Sequence, residues 1–211
     1  GKRVVWAREP EKNRKMNESQ VKSLVGGDIL PARAPYGKYV VNFTPSHTLV
    51  MLCNDKPRAN PDDFAFWERV LLVPFEISFV SREPTGSYER RRDPYLAQKL
   101  KKESPGILGW LIRGCLEWQQ QGLNPPDKVK AETERYKQDE DIIQHFIDDR
   151  CITGNGQMVP ANDLYSAYKD WCDQNGHKPL NNKHFSEKIR SKFERGRSKQ
   201  GYYYKNIGIL Y

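Results

Sequence analysis

The sequence predicts an α/β unit, then a helical connector, then a winged helix-turn-helix unit, and three patterns carry that expectation. Short continuous apolar runs at 3–7, 48–53 and 70–75 read as strands of a buried parallel sheet. A long amphipathic stretch over 104–122 reads as one helix. From about residue 138 the rhythm changes to three short amphipathic segments followed by two β-prone arms, the element order of a winged helix. The expected domains are therefore 1–104, 105–137 and 138–211.

Each element has a local reason. Residues 17–25 read as a helix with Asn17 as N-cap and Gln20 three residues on, stopped by Gly26-Gly27. Residues 29–44 present two β-prone arms around Ala34-Pro35-Tyr36-Gly37, a hairpin signal. The charged stretch 81–94, with Arg90-Arg91-Arg92, reads as a mobile loop. Ser104 at the N-cap and Pro105 in the first turn open the long helix, whose apolar face carries Ile107, Leu108, Leu111, Ile112, Cys115, Leu116 and Trp118. After the break at Asn124-Pro125-Pro126, residues 128–137 read as a charged bridging helix. In the last third, 141–151 and 182–193 read as helices, with Phe146 and Phe185 among their inward positions. Gly154-Asn155-Gly156 reads as a turn, and Val159-Pro160 opens the middle helix, to about Asn175. Two strands joined by a basic turn close the chain; Tyr202-Tyr203-Tyr204 reads as alternating strand packing, with Tyr203 the one that could point outward.

Composition narrows the function classes. The 211 residues carry a formal net charge of +8, which favours an anionic partner and says little about fold. The excess is uneven: residues 151–211 hold ten Lys or Arg against five Asp or Glu. The four cysteines form no CxxC pair, so a zinc site is not expected. Three of them lie in apolar stretches and read as small buried hydrophobes, which suits a reducing compartment. No apolar run approaches the ~18 residues that span a bilayer, and no signal-peptide pattern opens the chain, so a cytoplasmic protein is expected. The chain starts without Met and directly in a strand, which suggests a piece of a longer polypeptide.

GxxxxGK[ST], the loop that cradles nucleotide phosphates, is absent, as are HExxH and any Ser/His/Asp grouping. What remains is a series of anchors in order: Lys22 to Arg33 with its Gly26-Gly27-Asp28 centre, Tyr36, Phe43-Thr44-Pro45, Cys53-Asn54-Asp55-Lys56-Pro57, and Trp67-Glu68-Arg69 followed by Val73-Pro74-Phe75. Pro105 to Trp110, Gly122 to Pro126, and the set Leu164, Tyr168, Trp171-Cys172, Asn175-Gly176, Lys178-Pro179-Leu180 and Phe185 continue it. Together these resemble the C-terminal half of superfamily-three primase–helicases of satellite phages, plasmids and poxviruses, over nearly the whole chain.

The resemblance implies roles. Val4 to Glu9 matches the acidic-ended Walker B strand, so Glu9 would polarise the attacking water or hold Mg²⁺ through its water shell. The family has a small residue before that Glu, where this chain has Arg8. Asn54 matches the polar sensor that touches the γ-phosphate of ATP; otherwise it is an ordinary turn residue. Arg69 matches the arginine finger that reaches a neighbouring subunit's ATP. Its alternative is a surface salt bridge with Glu68 or Glu76, a contribution of only ~0–1 kcal/mol. Lys56 is either a further phosphate contact or a solvated loop lysine.

In such helicases the hairpin of 29–44 grips single-stranded DNA in a central channel. Arg33 and Lys38 would contact phosphates and Tyr36 would stack a base, without sequence preference. In the last domain, Lys183, His184, Lys188, Arg190 and Lys192 would form a recognition face for duplex DNA, with Arg195, Arg197 and Lys199 as a basic wing. The expected activity of the whole is ATP-driven unwinding of DNA by a homohexamer, and the chain alone is expected not to hydrolyse ATP. The competing reading is a non-catalytic DNA-binding replication initiator or regulator.

Overall fold

The computed structural model describes residues 2–8 and 15–210. The chain divides into two compact units, Gly1–Pro57 with Asp63–Lys137, and Arg58–Asp62 with Gln138–Tyr211.

The first unit begins with β1 (Val4–Arg8) and α1 (Glu18–Val25). Asn17 caps α1 as expected, its side chain accepting from the Gln20 amide at 3.0 Å. β2 (Leu30–Ala32) and β3 (Val41–Phe43) form the expected antiparallel hairpin. β4 (Thr48–Leu52) lies parallel to β1, with Val4 opposite Thr48 and Arg8 opposite Leu52. Parallel strands are normally covered on both faces, yet Trp6 and Leu52 are each more than 60% exposed.

The short helix α2 (Phe64–Trp67) is capped by Asp63, whose second oxygen takes Lys22 at 2.6 Å. Phe66 and Trp67 are buried, and Trp67 meets the Tyr136 ring edge-on at 5.0 Å. The Tyr136 hydroxyl donates to the Pro57 carbonyl.

Three expectations need correction here. Residues 70–75 join no ladder; the Leu72 amide donates instead to Thr133 Oγ1 at 2.9 Å. An apolar β-prone run becomes a strand only where a neighbour offers a free edge. The charged stretch 81–94 is structured: β5 (Ser78–Val80) pairs in parallel with β6 (Glu89–Arg91), and Arg82 and Arg91 hold Glu89 and Glu83. A helix, α3 (Leu96–Lys102), then precedes α4 (Ser104–Gln121), whose N-cap is Glu103 rather than Ser104. The Ser104 hydroxyl donates backward to the Lys101 carbonyl, continuing from α3. Gly122, at φ 72°, ends α4. The apolar face of α4 is formed as expected but none of its residues is buried, with Trp110 66% exposed. α5 (Asp127–Asp139) follows, and the first unit ends within it at Lys137.

The second unit has a closed core. α6 (Ile142–Arg150) is capped by Asp141 and leads into β7 (Cys151–Pro160). α7 (Ala161–Gln174) and α8 (Asn182–Lys192) follow, then β8 (Arg195–Ser198) and β9 (Gly201–Ile209). The strands form one antiparallel sheet in the order β7-β9-β8. Phe146 lies at the centre, in ring contact with Tyr168, Trp171 and Phe185 and fully buried. Ile143, Leu164, Ile189, Tyr204 and Ile207 close the same cluster.

β7 was not among the expected elements. Gly154-Asn155-Gly156 does turn locally, with Gly156 at φ 88°, but the ladder to β9 resumes beyond it. Thr153 pairs with Ile207 and Met158 with Lys205, so the turn is a bulge inside one strand, opposite Asn206 at φ 60°. Pro160 accordingly ends the strand, and α7 starts at Ala161.

Candidate nucleic-acid interface

The basic face of the second unit is assembled by α8 and the β8–β9 hairpin. Asn181 caps α8, accepting from the His184 amide at 2.9 Å. Phe185 and Ile189 turn into the core, which leaves Lys183, His184 and Arg190 exposed. Lys188 and Lys192, in contrast, are engaged internally: Lys188 bonds Asp62 at 2.6 Å, and Lys192 bonds Asp141 at 3.0 Å and Gln144 at 2.9 Å. Those acids lie 126 and 51 residues away, so spacing along the chain could not signal the pairing.

The hairpin register sorts its side chains by face. Arg195 stands opposite Tyr204, Gly196 opposite Tyr203, and Arg197 opposite Tyr202. Arg195, Arg197, Tyr202 and Tyr204 therefore share one side. Tyr204 is buried; Tyr202 is 47% exposed, with the Arg195 and Arg197 guanidiniums 4.2 and 5.5 Å from its ring centre. Tyr203 lies across Gly196 on the other side, where an added Cβ would overlap its ring. Tyr202 is the most open of the three, while Tyr203, the one the sequence allowed to point outward, is half-buried over Gly196 on the face opposite Tyr204. Lys199, at the turn, is exposed.

In the first unit the β2–β3 hairpin carries Arg33, Tyr36 and Lys38. The Gly37 amide closes the turn on the Ala34 carbonyl at 2.8 Å. Tyr36 adopts φ 62°, which an aromatic side chain rarely takes, and is fully exposed. Arg33 and Lys38 are exposed beside it.

The parallel pairing of β1 and β4 brings their C-terminal ends to one sheet edge, and Asn54 follows β4 in an exposed turn. Glu9 lies outside the described residues. Arg69 follows α2, is exposed, and donates to the Ala65 carbonyl at 2.5 Å. Among the described residues it makes no ion pair, and Glu76 is taken by Lys128 at 2.8 Å. Lys56 sits 5.6 Å from the centre of the Tyr136 ring. Among the described residues no cluster of three His, Cys, Asp or Glu could hold a metal ion, and no helix is long and apolar enough to cross a membrane.

Comparison with known proteins bears on these surfaces. Residues 138–208, nearly the whole of the second unit, match the family described as Poxvirus D5 protein-like. "Putative helicase 121R" of Invertebrate iridescent virus 3 is 32% identical over 193 residues, covering 81% of this chain and 20% of that protein. "Putative helicase 022R" of Frog virus 3 is 28% identical, covering 82% of this chain and 19% of that protein. "Putative primase C962R" of African swine fever virus is 22% identical, covering 83% and 19%. The chain spans about a fifth of the length of these relatives. The match over the second unit and the likenesses over most of the chain support a D5-like primase–helicase family.

Proposed function

We propose that this chain is part of an ATP-driven replicative DNA helicase of the primase–helicase kind, in which the first unit contributes to an ATPase and the second is a winged helix that binds duplex DNA. The observation that carries the reading is the similarity, over about four-fifths of the chain, to viral proteins named for helicase or primase function.

Each surface supports it. The three helices and β7-β9-β8 sheet of the second unit have winged-helix order, with the β8–β9 hairpin as the wing. Lys183, Arg190, Arg195, Arg197 and Lys199 are the cations of that face with no acidic partner among the described residues, so they carry the phosphate contacts. Lys188 and Lys192 contribute less, because DNA must first displace Asp62 and Asp141. On the first unit, Arg33, Tyr36 and Lys38 suit a sequence-blind grip on a single strand. Arg69, exposed and without an ion pair among the described residues, suits a finger toward a neighbouring subunit's ATP in a hexamer. Asn54 would sense the γ-phosphate, Lys56 would add a phosphate contact by leaving Tyr136, and Glu9 would act on water or Mg²⁺.

Two measurements test this. Fluorescence anisotropy of the 211-residue chain with duplex DNA should show affinity falling steeply with salt, by roughly 0.9 decades per decade for each phosphate contacted. A flat salt series would remove the phosphate contacts. In a longer polypeptide that includes GxxxxGK[ST], Arg69→Ala should abolish ATP turnover and leave ATP binding nearly intact. A non-catalytic initiator would bind DNA and show no turnover to lose.

A further inference from the structure

The start of α7, the first turn of α8 and the inner side of the β8–β9 hairpin enclose a cavity of about 300 Å³. We propose that this cavity binds one phosphate group, with Arg195 as its countercharge and the Tyr204 hydroxyl as a donor from the floor. The inference deepens the duplex-binding reading and rests on it for the source of the phosphate.

Three independent features converge there. The polar lining is Asn162, Asn182, Ser186, Gln200 and the cation Arg195, and no acidic residue lines it. Such a wall favours an anion over a cation or an apolar group. Two helices also begin at the cavity. α7 has Pro160 at its N-cap and therefore no side-chain cap, so the amides of its first turn remain for an external acceptor. Asn182 is the first residue of α8. Asp163, the acidic residue in the first turn of α7, does not line the cavity.

The third feature is Tyr204. It lines the cavity, is 1% exposed, and its hydroxyl has no hydrogen-bond partner among the described residues. Leaving a buried hydroxyl unpaired costs free energy that a ligand oxygen would recover. Pairing places Tyr204 between Val159, at the end of β7, and Arg195 on β8. The same register thus aligns the hydroxyl-bearing strand with both the start of α7 and the countercharge. The volume is several times the ~30 Å³ share of a liquid water, enough for a phosphate with part of its hydration.

A phosphodiester of duplex DNA and free inorganic phosphate offer the same chemistry, so both are probes. In ¹⁵N-labelled 211-residue chain, the Asn162 and Asn182 amide resonances should move on titration with inorganic phosphate, and at far lower concentration with duplex DNA. Tyr204→Phe should weaken the phosphate titration by about tenfold, the usual effect of one hydrogen bond to a charged group, with no fall in melting temperature. Asn162→Asp, which adds a carboxylate to the wall at a position helices tolerate, should weaken it at least as much. Resonances that stay still with both probes, or that move equally in wild type and both variants, would show that the cavity holds water only. Duplex binding with a silent cavity overturns the site and leaves the DNA reading standing. Phosphate-driven shifts with no duplex binding would support the site and overturn the DNA reading.

Discussion

The two units use apolar residues in opposite ways. In the second, thirteen buried side chains from three helices and two strands form one cluster around Phe146. In the first, the longest helix, α4, buries none of its residues, and the parallel pair β1–β4 leaves Trp6 and Leu52 open. Burial of apolar area is the main stabilising term of a fold, at about 25 cal/mol per Å². The second unit therefore has a closed apolar core of its own, whereas the first leaves large apolar side chains such as Trp6, Leu52 and Trp110 open. Family matching follows the same line, since residues 138–208 are the part recognised as Poxvirus D5 protein-like.

Several measurements would sharpen or break that contrast. The largest effect should be chemical. Cys53 and Cys115, in the first unit, are exposed, while Cys151 and Cys172 are buried and burial pushes the Cys151 thiol up to about 12. At pH 8 the native chain should alkylate at Cys53 and Cys115, with Cys151 slower by a factor on the order of 10³. Mass spectrometry showing all four modified together would dissolve the distinction.

Next comes stability. Phe146→Ala should cost about 3–5 kcal/mol in chemical unfolding of the second unit, as a cavity in a packed core. Trp110→Ala on α4 should cost under about 0.5 kcal/mol, because two-thirds of that side chain is already in solvent. Equal costs would mean that α4 is as well packed as α6. A smaller loss, about 1–3 kcal/mol, is expected for Gly196→Ala, which forces Tyr203 off the hairpin; near-UV circular dichroism should report the displaced ring. The smallest effect should come from His177, stacked on Trp171 at 5.4 Å. Burial, then the nearby Arg58 and His145, lower its pKa, so the folded state favours the neutral ring. Its contribution is full above the unfolded pKa of about 6.5 and is lost as pH falls through the lowered folded value. Unfolding midpoints at pH 8 and pH 5.5 should converge in His177→Gln.

Much of the first unit was legible because its signals are local. Asn17 capping Gln20, the hairpin around Pro35-Tyr36-Gly37 and the stop at Gly122 each depend on a few neighbouring residues. The misses depended on distant partners. Residues 70–75 look like a strand and find no edge; Gly154-Asn155-Gly156 looks like the end of an element and is a bulge within β7. Cys115 was expected inside because it lies on an apolar face, yet that face is open.

The candidate sites divide the same way. The basic character of 183–205 is a property of composition, and so is the set Arg33, Tyr36 and Lys38 on one turn. Which cations stay available was decided by folding. Asp62 and Asp141 claim Lys188 and Lys192 through ion pairs that join residues far apart in the chain. Charge and periodicity are written along the chain because they follow from each residue and its near neighbours. Pairing, burial and the cavity beneath the hairpin arise only when distant segments meet, so tertiary structure alone settles them.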